Sequence, residues 1–368
     1  GLDGAHPTLA EAFAARGYLT AGFVANTFYA GWESGLQRGF AHYEEARPEP
    51  RDVLGSLTLL RGLAKQEDVR RLLGNRPLLG RKLAPEVNRD FLRWLSAGSR
   101  EGRPFFVFLN YFDAHAPYAP PPPFDERFGV PPPDRRPGMF LPEGRSWTER
   151  EIGVERTAYE ASIVYLDHYL GRLFDELARR GLLRRTLVLV TSDHGEEFGE
   201  HGLMNHGNSL YWPSLHVPLL IAFPGRVPAG RRIAEPVTLR DVAATLYDLA
   251  LPGAAAPSLP GESLARHWRD PRAPSGGAAS PLLSEVRWAP NLPEWYPVSK
   301  GDLRSLVAGR HHYVRNADGS EELYDVFADP WEQRDLTRQP AGRDLAARLR
   351  AALEAARGLG TSSRQRDK

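Results

Sequence analysis

Hydrophobic positions along the chain follow two periods, one helical and one extended. HPTLAEAFAARG (6–17) has helical spacing, with Pro7 near its start and Gly17 at its end, and the apolar run YLTAGFV (18–24) predicts a strand. PEVNRDFLRWLSAG (85–98) predicts a second amphipathic helix. PFFVFLNYFD (104–113) is a continuous apolar run, typical of a strand buried on both faces. The order helix, strand, polar loop therefore repeats.

The same order continues further along the chain. A long helix is predicted from about 150 to 180, and strands are predicted in TLVLVTSD (186–193) and VPLLIAF (217–223). Residues 116–149 are rich in proline and predict an extended surface loop or lid. Alternating helices and strands predict an α/β fold, which we expect to be a three-layer αβα sandwich with a mostly parallel central sheet.

The composition changes after residue 253. Residues 254–282 are dominated by Ala, Pro, Gly and Ser, which predicts a linker. LRSLVAGRHHYVRN (303–316) and EELYDVF (321–327) flank ADGS and predict a β-hairpin, and GRDLAARLRAALEAAR (342–357) predicts a final helix. We therefore expect a catalytic domain at 1–253, a linker at 254–282, and a smaller C-terminal subdomain at 283–368 with a short antiparallel sheet and a terminal helix.

Composition and charge exclude several classes of function. The 368 residues are 42% hydrophobic and carry 47 Lys plus Arg against 46 Asp plus Glu, so no basic field favours nucleic acid. The absence of cysteine excludes disulfides, thiolate metal sites and a Cys nucleophile within these residues. No apolar run reaches the roughly 18 residues that span a bilayer. GLDGAHPTLAEAF has neither an initiator Met nor a signal-peptide pattern, so we expect a chain that begins within a longer protein.

Chemically active residues concentrate in TSDHGEEFGEHGLMNHG (191–207), which holds three of the 11 histidines, four carboxylates and four glycines. Asp193 and His194 arrive as a predicted strand ends, where α/β sheets bind ligands, and a carboxylate beside an imidazole can hold a divalent cation. The alternative is a helix cap formed by Ser192 and Asp193. A second strand ends in Asp113 and His115, for which a buried structural histidine is the alternative.

These segments resemble a known family. LVLVTSDHGEEFGEHG, followed by HGNSLYWPSLHVPLLI, is similar to the stretch that marks sulfatases of the alkaline phosphatase superfamily. Four further segments match the family's landmarks in order: HPTLAEAFAARGYLTAGFVAN, PFFVFLNYFDAHAPY, EPVTLRDVAATLYDLALPG and ELYDVFADPWEQRDL. The resemblance covers roughly residues 6 to 340, and five landmarks in one order are far more specific than any single motif. It implies hydrolysis of a sulfate ester carried by a small molecule or a glycan.

The resemblance also implies roles for eight residues. Asp193 and His194 match two ligands of a single catalytic metal, His115 and His206 match catalytic contacts to the sulfate ester, Asn26 and Asp113 match substrate-binding positions, and Glu200 and His201 orient the loop. The metal of sulfatases is usually calcium. Because His194 stands where many calcium sulfatases have Asn, manganese or zinc stays open. A protonated His115 or His206 can neutralise charge on the leaving oxygen or donate a proton to it.

Two departures from the family concern the active site. Val24-Ala25-Asn26-Thr27 stands where many sulfatases carry a Gly-Lys-Trp-His stretch that holds the sulfate. The family's nucleophile, a Cys converted to formylglycine or a Ser, and its first two aspartate ligands lie N-terminal to PTLAE. We therefore expect this chain to bind metal weakly and to be inactive alone.

Three classes of protein are alternatives to a sulfatase. A phosphodiesterase, phosphonate hydrolase or phosphoethanolamine transferase of the same superfamily shares the two metal-binding residues matched by Asp193 and His194. The nucleophile would distinguish them, since a Cys in a Cys-x-Pro-x-Arg context favours sulfate and a Thr favours phosphoryl chemistry. A non-catalytic binding module is opposed by the retention of Asp193, His194, His115 and His206. A metallopeptidase lacks its His-Glu-x-x-His helix. Fold alone does not choose among them.

Overall fold

A computed structural model describes residues 2, 6–46, 81–97, 102–129, 146–254, 259–269 and 281–364. The chain forms two compact units. The first contains residues 1–184 with 250–260, and the second contains residues 185–249 with 261–368. Most of the helices and strands predicted from sequence lie within these ranges. The predicted lid at 116–149 and the predicted linker at 254–282 lie partly outside the described residues.

The first unit alternates helices with strands. Its elements are α1 (Leu9–Ala14), β1 (Leu19–Val24), α2 (Thr27–Ala30), β2 (His42–Glu44), α3 (Ala84–Ser96), β3 (Phe105–Asn110) and α4 (Glu149–Arg179). Threonine begins two of these helices. Thr8 caps α1 and Thr148 caps α4, and in each case the carboxylate of a glutamate three residues later accepts a hydrogen bond from the threonine amide. The predicted helices and strands of this region are confirmed within a few residues.

The sheet of the first unit is parallel, with strand order β2-β1-β3. β1 pairs with β3 from Leu19 opposite Phe105 to Val24 opposite Asn110, so both strands end at the same edge. Parallel strands place the residues that follow them on that shared edge. Side chains of β3 are only partly buried, and Phe108 is 37% exposed, so the prediction of burial on both faces is wrong. The physical reason is that β3 is an edge strand among the described residues.

Helices α3 and α4 cover one face of this sheet. Their buried apolar side chains pack against β1 in one cluster, formed by Ala21, Phe23, Ala25, Val87, Phe91, Leu95, Leu173 and Leu177. On α3 the three members are spaced four residues apart, as an amphipathic helix requires. Burial of a leucine or phenylalanine at such a position contributes roughly 1.5–3 kcal/mol, so this cluster supplies the main apolar contribution of the first unit.

The second unit contains the remaining elements: β4 (Val188–Thr191), β5 (Glu197–Phe198), β6 (Met204–Asn205), α5 (Trp212–Leu215), β7 (Leu219–Ala222), α6 (Val242–Ala250), α7 (Arg266–Arg269), β8 (Leu282–Val286), β9 (Leu303–Ala308), β10 (His311–Arg315), β11 (Glu321–Asp325) and α8 (Pro340–Arg364). β4 pairs with β7 in antiparallel fashion, with Val188 opposite Ala222 and Thr191 opposite Leu219. Both strands were predicted, but their direction was not.

The C-terminal part of the second unit is an antiparallel sheet backed by α8. The strand order is β11-β10-β9-β8. Leu306, Tyr313 and Leu323 of three strands pack against Leu349 and Leu353 of the helix. The segment 303–316, predicted as one arm of a hairpin, contains two strands because the chain reverses at Gly309, whose φ of 60° suits glycine. The predicted antiparallel sheet and terminal helix are confirmed.

The α/β class predicted from sequence is confirmed, with a parallel sheet in the first unit and the antiparallel C-terminal sheet in the second. The boundaries predicted at residues 253 and 282 stay a prediction. Within the described residues, no helix is both long and apolar enough to cross a lipid bilayer.

Candidate active site

The turn after β4 presents the predicted metal ligands. Asp193 is the second residue beyond the strand, and its side chain is 89% exposed. The Ser192 hydroxyl donates to the carbonyl of His194 at 2.7 Å, which holds the turn. Residues 185–249 are all described, and the next element after Asp193 is the strand β5 rather than a helix. The helix-cap interpretation of Ser192 and Asp193 is therefore wrong.

Backbone contacts fix the orientation of His194. Its Nδ1 lies 2.8 Å from the carbonyl oxygen of Gly195, which can only accept, so Nδ1 carries the proton and Nε2 the lone pair. Gly195 itself donates to the carbonyl of Ser214 at 2.8 Å. A Cβ at Gly195 would lie 2.0 Å from the carbonyl oxygen of Pro213, so only glycine fits this approach. The tight backbone contact thus sets where His194 points.

Asp193 and His194 fit a shared divalent ion. Asp193 Oδ1 lies 3.8 Å from His194 Nε2, the nitrogen that carries the lone pair. Two donors bound to one ion through bonds of about 2.0–2.4 Å stand roughly 3–4 Å apart. One carboxylate oxygen and one imidazole nitrogen suit manganese and zinc as well as calcium. The donor set and its spacing are therefore compatible with the predicted metal.

His206 stacks on His194 and is held by a buried carboxylate. The two imidazole rings lie 3.8 Å apart between centroids and 24° from parallel. One ring nitrogen of each lies within 4.8 Å of the other. His206 Nδ1 is 2.9 Å from Glu196 Oε1, and the Glu196 side chain is only 3% exposed. A carboxylate acceptor keeps the proton on Nδ1 and orients the ring.

Glu200 and His201 lie on the same loop. The Glu200 carboxylate accepts a hydrogen bond from the Phe198 amide at 2.5 Å. His201 adopts a left-handed conformation with φ 53° and stacks on Tyr211 at 3.6 Å between ring centroids. Burial lowers the pKa of His201. These contacts are of the kind that orients a loop, which is the role predicted for both residues.

A second buried carboxylate, that of Glu197, is adjacent in sequence to Glu196. Glu197 is fully buried and accepts a hydrogen bond from the Ser209 hydroxyl. Burial raises the pKa of Glu197 to about 8, and the nearby charges of Glu200 and Glu196 act in the same direction. Glu197 is therefore close to the neutral form at physiological pH, whereas its neighbour Glu196 faces an imidazole.

A long-range contact anchors the end of the loop. The Glu332 carboxylate accepts from the Trp212 amide at 2.7 Å and lies 2.6 Å from His312 Nδ1. Glu332 and His312 are both fully buried, and the pair joins α5 to β10. Because Trp212 is two residues before Ser214, whose carbonyl accepts from the Gly195 amide, this contact supports the position of the turn that carries Asp193 and His194.

The first unit carries the other three predicted site residues at the edge where β1 and β3 end. Asn26 caps α2: its side-chain oxygen accepts from the Tyr29 amide at 3.2 Å, and its own amide donates to Asn110. His115 stacks on Phe112 at 4.2 Å, and its Nδ1 is 2.7 Å from the Ala116 carbonyl oxygen, which leaves the lone pair on Nε2.

Asp113 is buried rather than exposed at this edge. Its side chain is 3% exposed, and Oδ1 accepts from the Ala84 amide at the start of α3. Burial raises the pKa of Asp113 to about 6, against the opposing charge of Arg81. A contact between Asp113 and substrate stays a prediction, as does the convergence of His115 with the histidines of the second unit.

Two residues with evident roles were missed by sequence reasoning. Glu196 is adjacent to Glu197 in the sequence, and nothing in the pattern distinguishes the carboxylate that faces His206 from its neighbour. Arg81 donates to the carbonyl of Phe112 and, at 3.4 Å each, to those of His115 and Pro117. Arg81 therefore fixes the loop that carries His115. It was missed because it lies in no recognisable sequence motif.

This α/β fold, with Asp193 and His194 in the turn after β4, is that of a sulfatase-like protein of the alkaline phosphatase superfamily. Within that superfamily the chain belongs to the sulfatase family, whose family profile, described as Sulfatase, matches residues 1–252.

Individual relatives agree with this family. The chain is 38% identical over 199 residues to the choline-sulfatase of Rhizobium meliloti (strain 1021), across 53% of this chain and 35% of that protein. The match thus spans about a third of this curated relative. The fold is similar to the phosphonate monoester hydrolase of Agrobacterium radiobacter, with a TM-score of 0.72, 22% identity and coverage of 97% and 81% of the two chains. It is also similar to BT4656 in complex with its substrate D-Glucosamine-2-N, 6-O-disulfate, with a TM-score of 0.68, 15% identity and coverage of 96% and 83% of the two chains.

Proposed function

We propose that this chain carries the metal- and substrate-binding part of a sulfatase that hydrolyses a sulfate monoester. The observation that carries the proposal is the loop after β4, in which Asp193 Oδ1 and His194 Nε2 stand 3.8 Å apart beside a second imidazole. The choline-sulfatase relative supports sulfate as the transferred group. Asp193 and His194 would hold a divalent ion, calcium by family resemblance, with manganese or zinc as alternatives because of the imidazole donor.

His206 acts on the leaving oxygen in this proposal. When bound, the metal would polarise the sulfate oxygens and lower the charge on the transferred group. The Glu196 carboxylate holds His206 Nδ1 at 2.9 Å, so the ring presents Nε2 as the position from which a proton is given or taken.

His115 is proposed as the second contact to the sulfate ester. Its Nδ1 is directed to the Ala116 carbonyl oxygen, and Arg81 fixes the carbonyl groups on both sides of it. Asn26 and Asp113 are proposed as supporting residues of the substrate pocket, with Asp113 acting through the start of α3. The nucleophile is assigned to none of these residues.

Ligand binding by the chain tests the proposal without requiring turnover. With manganese present, 4-nitrocatechol sulfate should bind, and His206→Ala should weaken that binding by about tenfold, as expected for loss of one charge-assisted contact. His216→Ala is the matched control, since His216 is exposed and stacks only on Trp212 at 4.9 Å. Equal affinity in the wild type and the His206 variant would refute the assignment of His206.

Metal affinity provides the second test. In an equilibrium manganese titration, Asp193→Ala and His194→Ala should each abolish detectable binding, whereas Asp175→Asn on α4 should leave the affinity unchanged. Unchanged affinity in both single variants would refute the proposed ligand pair. A phosphonate monoester hydrolase is the second candidate, favoured by the Agrobacterium radiobacter fold likeness. Tighter binding of 4-nitrophenyl phenylphosphonate than of the aryl sulfate would select it.

A further inference from the structure

A groove runs along the outer side of α3 and α4 in the first unit. It has a volume of about 720 Å³ and is lined by one stripe from each helix. Two hydrogen bonds tie the helices together along it: Asn88 donates to the Tyr169 carbonyl at 2.8 Å, and Arg180 donates to the Ser96 hydroxyl at 2.9 Å. Its floor is apolar, with Leu173 only 2% exposed. The groove is therefore a preformed feature of a packed helix pair.

Positive charge dominates the groove. Five arginines line it, with Arg89 and Arg93 on α3 and Arg172, Arg179 and Arg180 on α4, and only two carboxylates, Asp175 and Glu176, accompany them. The whole chain, in contrast, has a net charge of +1. Such a local excess of one sign attracts ligands of the opposite sign.

The neighbouring carboxylates are shared and do not neutralise these arginines. Asp90 pairs with Lys82 at 2.9 Å and also with Arg93 at 3.1 Å and Arg89 at 3.5 Å. Glu176 serves both Arg179 and Arg180, at 2.7 Å each.

One cation of the groove has no partner among the residues that the structure describes. Arg172 is exposed and makes neither an ion pair nor a hydrogen bond with any residue in the described part of the chain. The side chains of Arg89 and Arg93 are each 62% exposed, so their remaining N–H donors face solvent. A guanidinium presents several N–H donors in a fork that matches the oxygens of an anionic group.

From this geometry we propose that the α3–α4 groove binds a sulfated polysaccharide chain outside the hydrolytic site. The arginines of α4 cover eight residues, which is roughly 12 Å of helix, so they match several anionic groups in a row rather than a single ion. The apolar floor suits the C–H faces of sugar rings. Tyr169 is the one aromatic ring among the described lining residues, which disfavours nucleic-acid bases. The choice of sulfate as the anionic group rests on the proposed function.

Equilibrium binding of a fluorescent heparin-derived octasaccharide, followed by anisotropy at two salt concentrations, tests this groove. The wild-type chain should bind, and Arg89→Gln/Arg93→Gln/Arg172→Gln should weaken binding by about tenfold or more and reduce its salt dependence. Arg231→Gln/Arg232→Gln/Arg240→Gln is the matched control, because it removes the same charge from exposed positions of the second unit and should change affinity less than about twofold. Arg172→Glu alone, at a residue without partners in the described part of the chain, serves as a second variant if the triple variant does not fold.

Several outcomes would overturn the groove as a sulfated-glycan site. These are no binding by the wild-type chain, equal loss in the groove and control variants, and equal affinity for the desulfated octasaccharide or for polyglutamate of the same charge. Asp193→Ala should leave octasaccharide binding unchanged, and its loss in that variant would assign the binding to the hydrolytic site instead. The binding assay does not measure turnover, so the octasaccharide result can be interpreted even if the proposed sulfatase activity is refuted.

Discussion

Replacing Asp113 by asparagine should stabilise the first unit at neutral pH and leave it unchanged near pH 4. Burial of a side chain that is 3% exposed raises the pKa of Asp113 from its ordinary 3.8 to about 6. The folded chain then binds more protons than the unfolded chain between about pH 4 and pH 6, so this group's contribution to stability falls as pH rises through that window. At 1.36 kcal/mol per pH unit, the ionised carboxylate costs up to roughly 3 kcal/mol at pH 7.

Asparagine preserves the contact that Asp113 makes and removes the charge. Its side-chain oxygen can still accept from the Ala84 amide, so the start of α3 is kept. Its amide group replaces Oδ2, a buried oxygen without a hydrogen-bond partner among the described residues. The variant also loses the attraction to Arg81. We therefore expect a net gain of about 1–3 kcal/mol at pH 7.5.

The assay must report on the first unit alone, because the chain contains two compact units that need not unfold together. Urea titrations read by amide-exchange mass spectrometry of the β3 segment, residues 105–110, meet that requirement. Wild type, Asp113→Asn and the control Asp175→Asn, an exposed carboxylate on α4, should be compared at several values between pH 4 and pH 8. A stability difference that does not vary with pH, or a loss of stability at pH 7.5, would refute the reasoning.

Three further substitutions test packing and loop geometry. Leu353→Ala should cost the second unit about 2–5 kcal/mol in urea unfolding, since Leu353 is fully buried, and a loss below about 1 kcal/mol would contradict the packing. Gly195→Ala should lower the manganese affinity in an equilibrium titration, because its Cβ would lie 2.0 Å from the Pro213 carbonyl oxygen; an unchanged affinity would show that the turn adapts. Glu332→Ala leaves two buried donors, His312 Nδ1 and the Trp212 amide, without an acceptor and should cost about 2–6 kcal/mol, checked by urea unfolding and contradicted by an unchanged midpoint.

Local patterns predicted the elements of the fold, but pairing depended on contacts that the sequence does not display. Helix α3 could be located because its apolar residues repeat with helical spacing and a proline stands at its start. The antiparallel direction of β4 and β7 depends on the path of the chain between them. The reversal at Gly309 was missed because a lone glycine in an apolar run does not reveal a positive φ.

Of the candidate site, too, the sequence predicted some residues and missed others. Asp193 and His194 were located because a strand ends there, and their spacing suits an ion. Glu196 was not found, since burial rather than residue type separates it from Glu197, and burial is a property of the folded loop. The roles of His115, His206 and Asn26 came from family resemblance, and no local pattern could have assigned them.

The anchor between Glu332 and Trp212 has a consequence for the order in which the protein matures. The two residues are 120 positions apart in the chain, so the turn that carries His194 is braced by a residue that a ribosome adds much later. At a synthesis rate of roughly 5–20 residues per second, the Trp212 amide waits about 6–24 s for its acceptor. Bringing together two residues so far apart in the sequence costs more conformational entropy than forming a local turn, and it is therefore slower. The loop that carries His194 therefore gains this contact only after residue 332 has been made.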